Sequence, residues 1–341
     1  MTKKTKSGKG IFILVILAAL ALFTLNMISF FSVKKENTLF SNKGNENSFS
    51  LKKFENKREK IKKPSRGKKY VACLHIEGTI EEENQTYNQE WILSTIDTLM
   101  KDKNNEGILL VINSPGGGVY QADEVYLKLL DYKKEGKKVW TYMESLAASG
   151  GYYIACASSS IMANRNTLTG SIGVIAGSSV DMTELLEKAG IKYTTIHSGK
   201  NKNMGNYNEV LSEEQKEILQ GIADECYEQF VQIVSENRKM DLESVKKLAD
   251  GRVYTARQAE KNGLIDSVLT FQEAENKILE ECENNVEFID VKYSRQEGFL
   301  SLLRGKVSLL GKSEFFSLPE AVEEKIKQKT PYPAYFYDGQ F

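Results

Sequence analysis

The stretch GILLVINSPGGGVYQADEV, residues 107–125, decides the fold class. An apolar run of strand length leads into Ser114, Pro115 and three glycines, and a helical pattern through Val125 and Leu129 follows. Glycines at the carboxyl end of a strand expose backbone N–H groups at the edge where open α/β sheets bind ligands. The stretch therefore predicts a strand, a binding loop and a helix, and a tight turn without function is the alternative.

Further apolar runs of strand length alternate with amphipathic stretches along the chain. The runs are YVACLHIEGTI (70–80), KKVWTYM (137–143), SIMANR (160–165) and KYTTIHSG (192–199). Two capping boxes, Ser212 with Gln215 and Thr255 with Gln258, predict helix starts. Gly263 is expected to end the second of these helices. The alternation predicts an α/β domain with parallel strands and helical crossovers over residues 69–292.

The N-terminal segment predicts a membrane anchor. Residues 11–31, IFILVILAALALFTLNMISFF, carry no charge and as a helix would span roughly 30 Å, the thickness of the hydrocarbon core. Residues 1–10 form a basic, cytoplasmic N-terminus and residues 32–68 a polar, lysine-rich linker. We expect a single-pass protein of the cell membrane with the α/β domain on the extracytoplasmic side. A signal peptide cleaved near ALA (19–21) is the alternative.

Composition limits the remaining possibilities. Lys and Arg together number 46, as do Asp and Glu, so no overall basic field indicates a nucleic-acid partner. The four cysteines show no paired CxxC spacing, which argues against a zinc ribbon or a thioredoxin motif, and Cys73 and Cys156 are interpreted as small core residues. Residues 293–341 form a C-terminal extension that ends in TPYPAYFYDGQF, which is typical of an extended tail.

A second glycine-flanked loop contains a candidate nucleophile. Ser149 in SLAASGGYYIA (145–155) follows a predicted strand and precedes a helical stretch, so its hydroxyl and the Gly150 N–H are expected at a helix N-terminus. Gly117 in the first loop could supply a second N–H donor. A nucleophile with two donors for an oxyanion is half of a serine hydrolase site.

The base that would accept the serine proton is less evident. The chain has only two histidines. His75 lies inside the first predicted strand and is interpreted as structural, whereas His197, at the end of a predicted strand, is the plausible imidazole. Lys200 and Lys202 follow closely, and a lysine can replace histidine when burial lowers its pKa from about 10.4 toward neutrality.

Together these motifs resemble the signal peptide peptidase A family of membrane-anchored serine proteases. The motifs are NSPGGGVYQADEV (113–125), SLAASGGYYIA (145–155), TLTGSIGV (167–174), SGKNKN (198–203) and GRVYTARQAEKNGLID (251–266). They occur in the order seen in that family over roughly residues 69–270. The resemblance implies a ClpP/crotonase-like fold, and the length resembles the short form of the family, which assembles into homo-oligomeric rings.

The resemblance also implies roles for particular residues. Ser149 falls on the nucleophile, Lys202 on the general base, and Ser171 on the serine that helps to hold the lysine amine. Gly117 and Gly150 fall where backbone donors bind the oxyanion. After the lysine many relatives have Asp and later Ser-Pro, whereas this chain has Asn, Met, Gly and Asn at 203–206, so Lys200 stays a second candidate for the base.

The expected function is cleavage of released signal peptides, or of other short apolar peptides, at the membrane, without a metal or other cofactor. Two other classes are weighed against it. A catalytically inactive membrane scaffold would keep the fold, but intact Ser149 and Lys202 argue against it. A crotonase-type acyl-CoA enzyme shares the fold, but the predicted anchor and the Ser/Lys pair fit it poorly.

Overall fold

A mostly parallel sheet forms the centre of the fold in this computed structural model, which describes residues 65, 67–282, 286–295 and 334–336, the last three as backbone. The strands are β1 (Tyr70–Glu77), β2 (Asn105–Ser114), β3 (Gly116–Gly118), β4 (Lys138–Ala148), β5 (Ser160–Ala163), β6 (Leu168–Gly170), β7 (Val253–Thr255), β8 (Ser267–Val268), β9 (Glu287–Val291) and β10 (Ala334–Phe336). The helices are α1 (Gln89–Lys101), α2 (Val119–Lys134), α3 (Gly150–Ala155), α4 (Thr183–Lys188), α5 (Glu213–Arg238), α6 (Leu242–Leu248), α7 (Ala256–Lys261) and α8 (Phe271–Glu281).

The main sheet has eight strands in the order β7-β6-β4-β2-β1-β9, with β5 paired to β4 and β8. All pairs are parallel except β6 with β7. The expected α/β class with parallel strands and helical crossovers is therefore confirmed.

Strand β4 changes its partner along its length, and this change positions the candidate site. Its first half pairs with β5 through Trp140–Met143, and its last residues pair with β6 through Leu146–Ala148. On its other side the register places Ala147 opposite Ser114, the last residue of β2. The carboxyl ends of β2, β4 and β6 therefore lie side by side.

Both faces of the sheet are buried, which explains the nearly continuous apolar runs in the sequence. Successive residues of β2 point to opposite faces, so Ile108 and Leu110 contribute to the larger core cluster while Leu109 and Val111 contribute to the smaller one. The larger core also includes side chains of α1, α2, α3 and α5, and the smaller core is covered by α8. Cys73 and Cys156 are buried in these cores, as predicted, and burial raises the pKa of each thiol to about 12.

Local signals in the sequence located several helix boundaries correctly. Helix α5 begins at the capping box of Ser212 and Gln215, and α7 begins at that of Thr255 and Gln258. Helix α7 ends at Lys261, and Gly263 follows with a positive φ of 76°. A capping side chain satisfies a backbone N–H that has no helical partner, so the signal is purely local and readable.

One predicted strand is wrong. Residues 192–199 have no strand structure, and Ile196 is 95% exposed. They belong to a long segment between β6 and α5, residues 173–212, which we call the arm; no residue of its helix α4 is buried. The alternation of apolar and polar residues is real, but a strand also needs a neighbouring strand to bond with, and the described part of the chain offers none here.

No helix among the described residues has the length and apolar character needed to cross a bilayer, and segment 11–31 lies outside them. Most of the extension 293–341 also lies outside the described residues.

Candidate active site

Ser149 lies in a sharp turn between β4 and α3. It is buried, with only 1% of its surface exposed, and its backbone has φ 53° and ψ −117°. Such a positive φ is unfavourable for a residue with a Cβ, so the surrounding structure must hold the turn. Two hydrogen bonds do so: the Ser149 N–H donates to the Gly170 carbonyl at 2.8 Å, and the Ser149 carbonyl accepts from the Tyr153 N–H at 2.9 Å.

The structure brings the two glycine loops together, as the sequence predicts. A Cβ at Gly151, in the first turn of α3, would lie 3.2 Å from the Ser114 carbonyl oxygen. Because only Pro115 separates Ser114 from the glycine strand β3, Ser149 and β3 occupy neighbouring positions at the same edge of the sheet.

The backbone of Ile80 fixes the orientation of β3. The Ile80 N–H donates to the Gly116 carbonyl, and the Ile80 carbonyl accepts from the Gly118 N–H, both at 2.8 Å. Since neighbouring residues of a strand direct their polar groups to opposite sides, the Gly117 N–H and carbonyl face away from Ile80. A Cβ at Gly117 would lie 1.9 Å from the Ile80 carbonyl oxygen, so only glycine allows this approach.

The free side of β3 pairs with β10, a strand from the C-terminal tail. The pairing is antiparallel, with Tyr335 opposite Gly117. Because the Gly116 carbonyl and the Gly118 N–H are both used by Ile80, Gly117 and Tyr335 must form the pair that exchanges both backbone hydrogen bonds. The Gly117 N–H therefore points to the Tyr335 carbonyl, and an extended peptide occupies the edge beside Ser149.

Ser171 lies next to the Ser149 turn, to which it is linked through the backbone. It follows Gly170, the residue whose carbonyl accepts the Ser149 N–H, and its own N–H donates to the Arg252 carbonyl at 2.8 Å. Ser171 also has a positive φ, 49°. Two serines in strained backbone conformations thus stand at the adjoining ends of β4 and β6.

Lys202 does not complete this group of residues within the chain. It lies exposed in the arm, and its amine makes no hydrogen bond or ion pair within the described residues. Its neighbour Lys200 forms an exposed ion pair with Glu214, and that hydrogen bond holds the pKa of Glu214 below its ordinary value. The structure therefore brings together Ser149, Gly150, Gly117 and Ser171, but not the lysine.

Neither histidine lies at the Ser149 turn. His75 in β1 contacts Asp290 of β9, with Nε2 3.2 Å from Oδ1, which agrees with a structural role. His197 is exposed in the arm, where Nδ1 lies 3.1 Å from the Gly199 carbonyl oxygen.

Sequence reasoning missed two residues that support the glycine strand. Ser114 donates its hydroxyl to the Gly78 carbonyl at 2.6 Å and accepts the Gly116 N–H at 3.1 Å. Its position before Pro115 was visible in the sequence, but its partner at Gly78 was not. Ile80 acts only through its backbone, so its side-chain identity gave no signal.

Over residues 131–285 the chain matches the model of Peptidase family S49. It is 32% identical over 287 residues to an Enterococcus faecium protein whose name marks it as a candidate signal peptide peptidase SppA, covering 80% of this chain and 82% of that one. It is 30% identical over 210 residues to Protease 4 of Haemophilus influenzae, covering 61% of this chain and 34% of that one. It is 33% identical over 200 residues to the chloroplastic serine protease SPPA of Arabidopsis thaliana, covering 58% and 29% of the two chains.

Among solved structures, a ClpP1 mutant from Listeria monocytogenes is similar over 59% of this chain and 92% of that one, with 18% identity and a TM-score of 0.41. From the sequence relatives, the chain is a serine protease. It belongs to the signal peptide peptidase A family, that is, peptidase family S49.

Proposed function

We propose that the protein is a membrane-anchored endopeptidase that cleaves released signal peptides or other short apolar peptides with a Ser149–Lys202 dyad. The observation that carries the proposal is the buried Ser149 turn beside a glycine strand whose free edge already pairs with an extended peptide. A protease must bind its substrate as an extended chain next to the nucleophile, and this edge offers that geometry.

In the proposed reaction, the neutral Lys202 amine accepts the Ser149 hydroxyl proton while Oγ attacks the scissile carbonyl carbon. The Gly117 and Gly150 N–H groups stabilise the oxyanion. The tetrahedral intermediate then expels the leaving amine, which takes the proton from the Lys202 ammonium. Water then attacks the acyl ester while Lys202 accepts its proton. Ser149 Oγ leaves as the acid is released and takes that proton back from the Lys202 ammonium.

The direction of the Gly117 N–H supports its role as a donor. It faces the edge where the peptide lies, and its partner there is a peptide carbonyl. Gly150 directly follows Ser149, so its N–H stands at the start of α3. Ser171 would donate or accept a hydrogen bond at the lysine amine, which suits its position beside the nucleophile turn.

A lysine can act as this base only when it is neutral, and removal from water favours the neutral amine. Lys202 is exposed in the single chain, so we assign its burial to a second subunit whose Ser149 it reaches. The arm fits this assignment because it carries large exposed apolar side chains, among them Val180, Leu185 and Ile196. Repetition of such a contact from subunit to subunit closes a homo-oligomeric ring when the rotation permits.

The membrane assignment rests on the uncharged segment 11–31, which would hold the protease domain at the lipid surface on the extracytoplasmic side. Peptides released from the bilayer would reach the site there. The anchor is tested by cell fractionation. The full-length protein should sediment with the membrane fraction, and a variant without residues 1–31 should not.

The dyad is tested with Ser149→Ala and Lys202→Ala in the full-length protein in detergent. Each should lower peptide cleavage by at least about 10⁴-fold, because the two residues act as one unit. His197→Ala and Lys200→Ala should each keep substantial activity. Labelling by a serine-directed phosphonate should be lost in Ser149→Ala. An inactive His197→Ala or Lys200→Ala variant together with an active Lys202→Ala variant would contradict the assignment of the base.

A further inference from the structure

One buried residue stands out in the arm. Between residues 173 and 214 only Asn203 is buried, with 8% of its surface exposed, and it directly follows Lys202. The side chain is polar, so hydrophobic burial does not explain its position. The side-chain hydrogen-bond partners of Asn203 lie in the same arm, at Asn206 and Glu209.

Hydrogen bonds hold the Asn203 side chain on both sides. Its Nδ2 donates to Glu209 Oε2 at 2.5 Å, and its Oδ1 accepts from Asn206 Nδ2 at 2.8 Å. The Asn203 carbonyl also accepts the Asn206 N–H at 3.1 Å. The contact with Glu209 involves a carboxylate, and hydrogen bonds to ionised groups are about twice as strong as neutral ones.

We propose that Asn203 and Glu209 form a clasp that positions the loop bearing Lys202, with Glu209 as a positioning residue for the base. The inference rests on the proposed role of Lys202. The loop contains Gly199 and Gly205, both at positive φ, so its own backbone does not favour one conformation. The clasp restrains the loop to one conformation at Asn203, the residue next to Lys202.

The consequence for catalysis is geometric. The base must lie within hydrogen-bonding reach of the nucleophile, and a displacement of about 1 Å can cost about 100-fold in rate. Loss of Glu209 also leaves the buried Asn203 amide without its partner, which favours other loop conformations. The clasp should therefore affect the chemical step more than the binding of the peptide along β3.

The experiment compares full-length variants in kcat, KM and thermal unfolding. Glu209→Ala and Asn203→Ala should each lower kcat by about 10- to 100-fold, with KM and Tm close to those of the wild type. Glu209→Gln keeps an acceptor oxygen and should recover most of the activity that Glu209→Ala loses. The matched control is Glu184→Gln, which removes an exposed carboxylate paired with Lys188 elsewhere in the arm, and it should leave kcat unchanged.

A reversed pair provides the stronger test. Asn203→Asp alone places two carboxylates against each other and should lower kcat at least as much as Asn203→Ala. Adding Glu209→Gln should restore activity, because the introduced amide can donate to the introduced carboxylate. A double variant no more active than Asn203→Asp would overturn the proposal.

Other outcomes are equally decisive. An inactive Lys202→Ala together with a fully active Glu209→Ala would refute the clasp alone, whereas an active Lys202→Ala would refute the base assignment on which it rests. Unfolding of both alanine variants would also contradict the clasp, since it would place these residues in global stability rather than in the positioning of the base.

Discussion

At the scale of single residues, Gly117 combines two requirements that only glycine meets. The Gly117 Cα lies so close to the Ile80 carbonyl that no Cβ fits, and the Gly117 N–H points to the edge of β3 that pairs with β10. The first requirement comes from packing, and the second from the alternation of a strand. Any side chain at this position must move β3 away from Ile80 and with it the proposed oxyanion donor.

We therefore expect Gly117→Ala to lower the cleavage rate by about 10²- to 10³-fold, the usual effect of losing one oxyanion donor. Gly221→Ala is the matched control, because its added Cβ meets no atom within 4 Å, and in the interior of α5 it should stabilise the protein by about 0.5–1 kcal/mol. Peptidase assays and thermal melts of both variants are the measurements. A Gly117→Ala protein with wild-type activity would exclude this donor.

At this scale the sequence indicated candidate site residues better than the contacts that hold them in place. Ser149, Gly150 and Gly117 could be predicted to lie close together because glycines beside a serine at strand ends are a local pattern. The supporting contacts of Ser114 with Gly78 link positions far apart in the chain, and no local pattern encodes them.

At the scale of elements, β10 shows how an extended peptide lies on β3. The exchange of hydrogen bonds between Gly117 and Tyr335 places the Tyr335 carbonyl on the proposed donor. In the proposed mechanism, a substrate carbonyl at this position would be the one that Ser149 attacks. The tail would then be cut between Tyr335 and Phe336.

Intact mass spectrometry tests this expectation. The wild-type chain should lose residues 336–341, whereas Ser149→Ala should keep them, because only an active serine can cleave the tail. Identical masses for the two proteins would argue that the tail is held without being cut.

A second link between elements is the pair formed by Arg238, at the end of α5, and Asp266, before β8. Arg238 donates from both terminal nitrogens, to Asp266 Oδ2 at 3.0 Å and to Oδ1 at 2.7 Å. Burial by itself would raise the pKa of Asp266, but the Arg238 hydrogen bonds and the Ile161 N–H hold that pKa below its ordinary value. A carboxylate with a depressed pKa stabilises the fold above its unfolded pKa and loses that effect as the pH falls through the folded value.

Asp266→Asn should accordingly lower the free energy of unfolding by about 2 kcal/mol at pH 7, a discounted value because Asp266 is one-third exposed. The difference from the wild type should stay constant down to about pH 5 and shrink below about pH 4, where Asp266 of the unfolded wild-type chain begins to protonate. Denaturant titrations at pH 7, 5 and 3 measure it. If the difference in the free energy of unfolding grew toward low pH, the depressed pKa of Asp266 would be contradicted.

At the scale of the whole molecule, the described domain combines a buried sheet with an arm whose residues are mostly exposed. Strand and helix patterns in the sequence predicted the buried part, because each side chain there faces either the core or the solvent and so produces a regular period. The arm was misread as containing a strand, since its apolar residues alternate without a core to face. Among the described residues these side chains stay exposed, so neither a local pattern nor intrachain packing defines their environment.

Mixing subunits tests whether the arm completes a neighbouring site. Ser149→Ala and Lys202→Ala proteins, unfolded and refolded together, should form some sites with an intact serine from one subunit and an intact lysine from another. Activity should rise well above that of either variant refolded alone. A mixture as inactive as its components would place both residues within one subunit.

The backbone of Ser149 carries a further consequence, for evolution. A serine at φ 53° and ψ −117° stores roughly 1–3 kcal/mol of strain, and glycine would relieve it at a smaller entropic cost in the unfolded chain. The inactive substitution Ser149→Gly should then melt a few degrees higher than the active protein. Selection for thermostability alone would discard this serine, so its presence in a conformation suited to glycine agrees with its proposed role as the nucleophile.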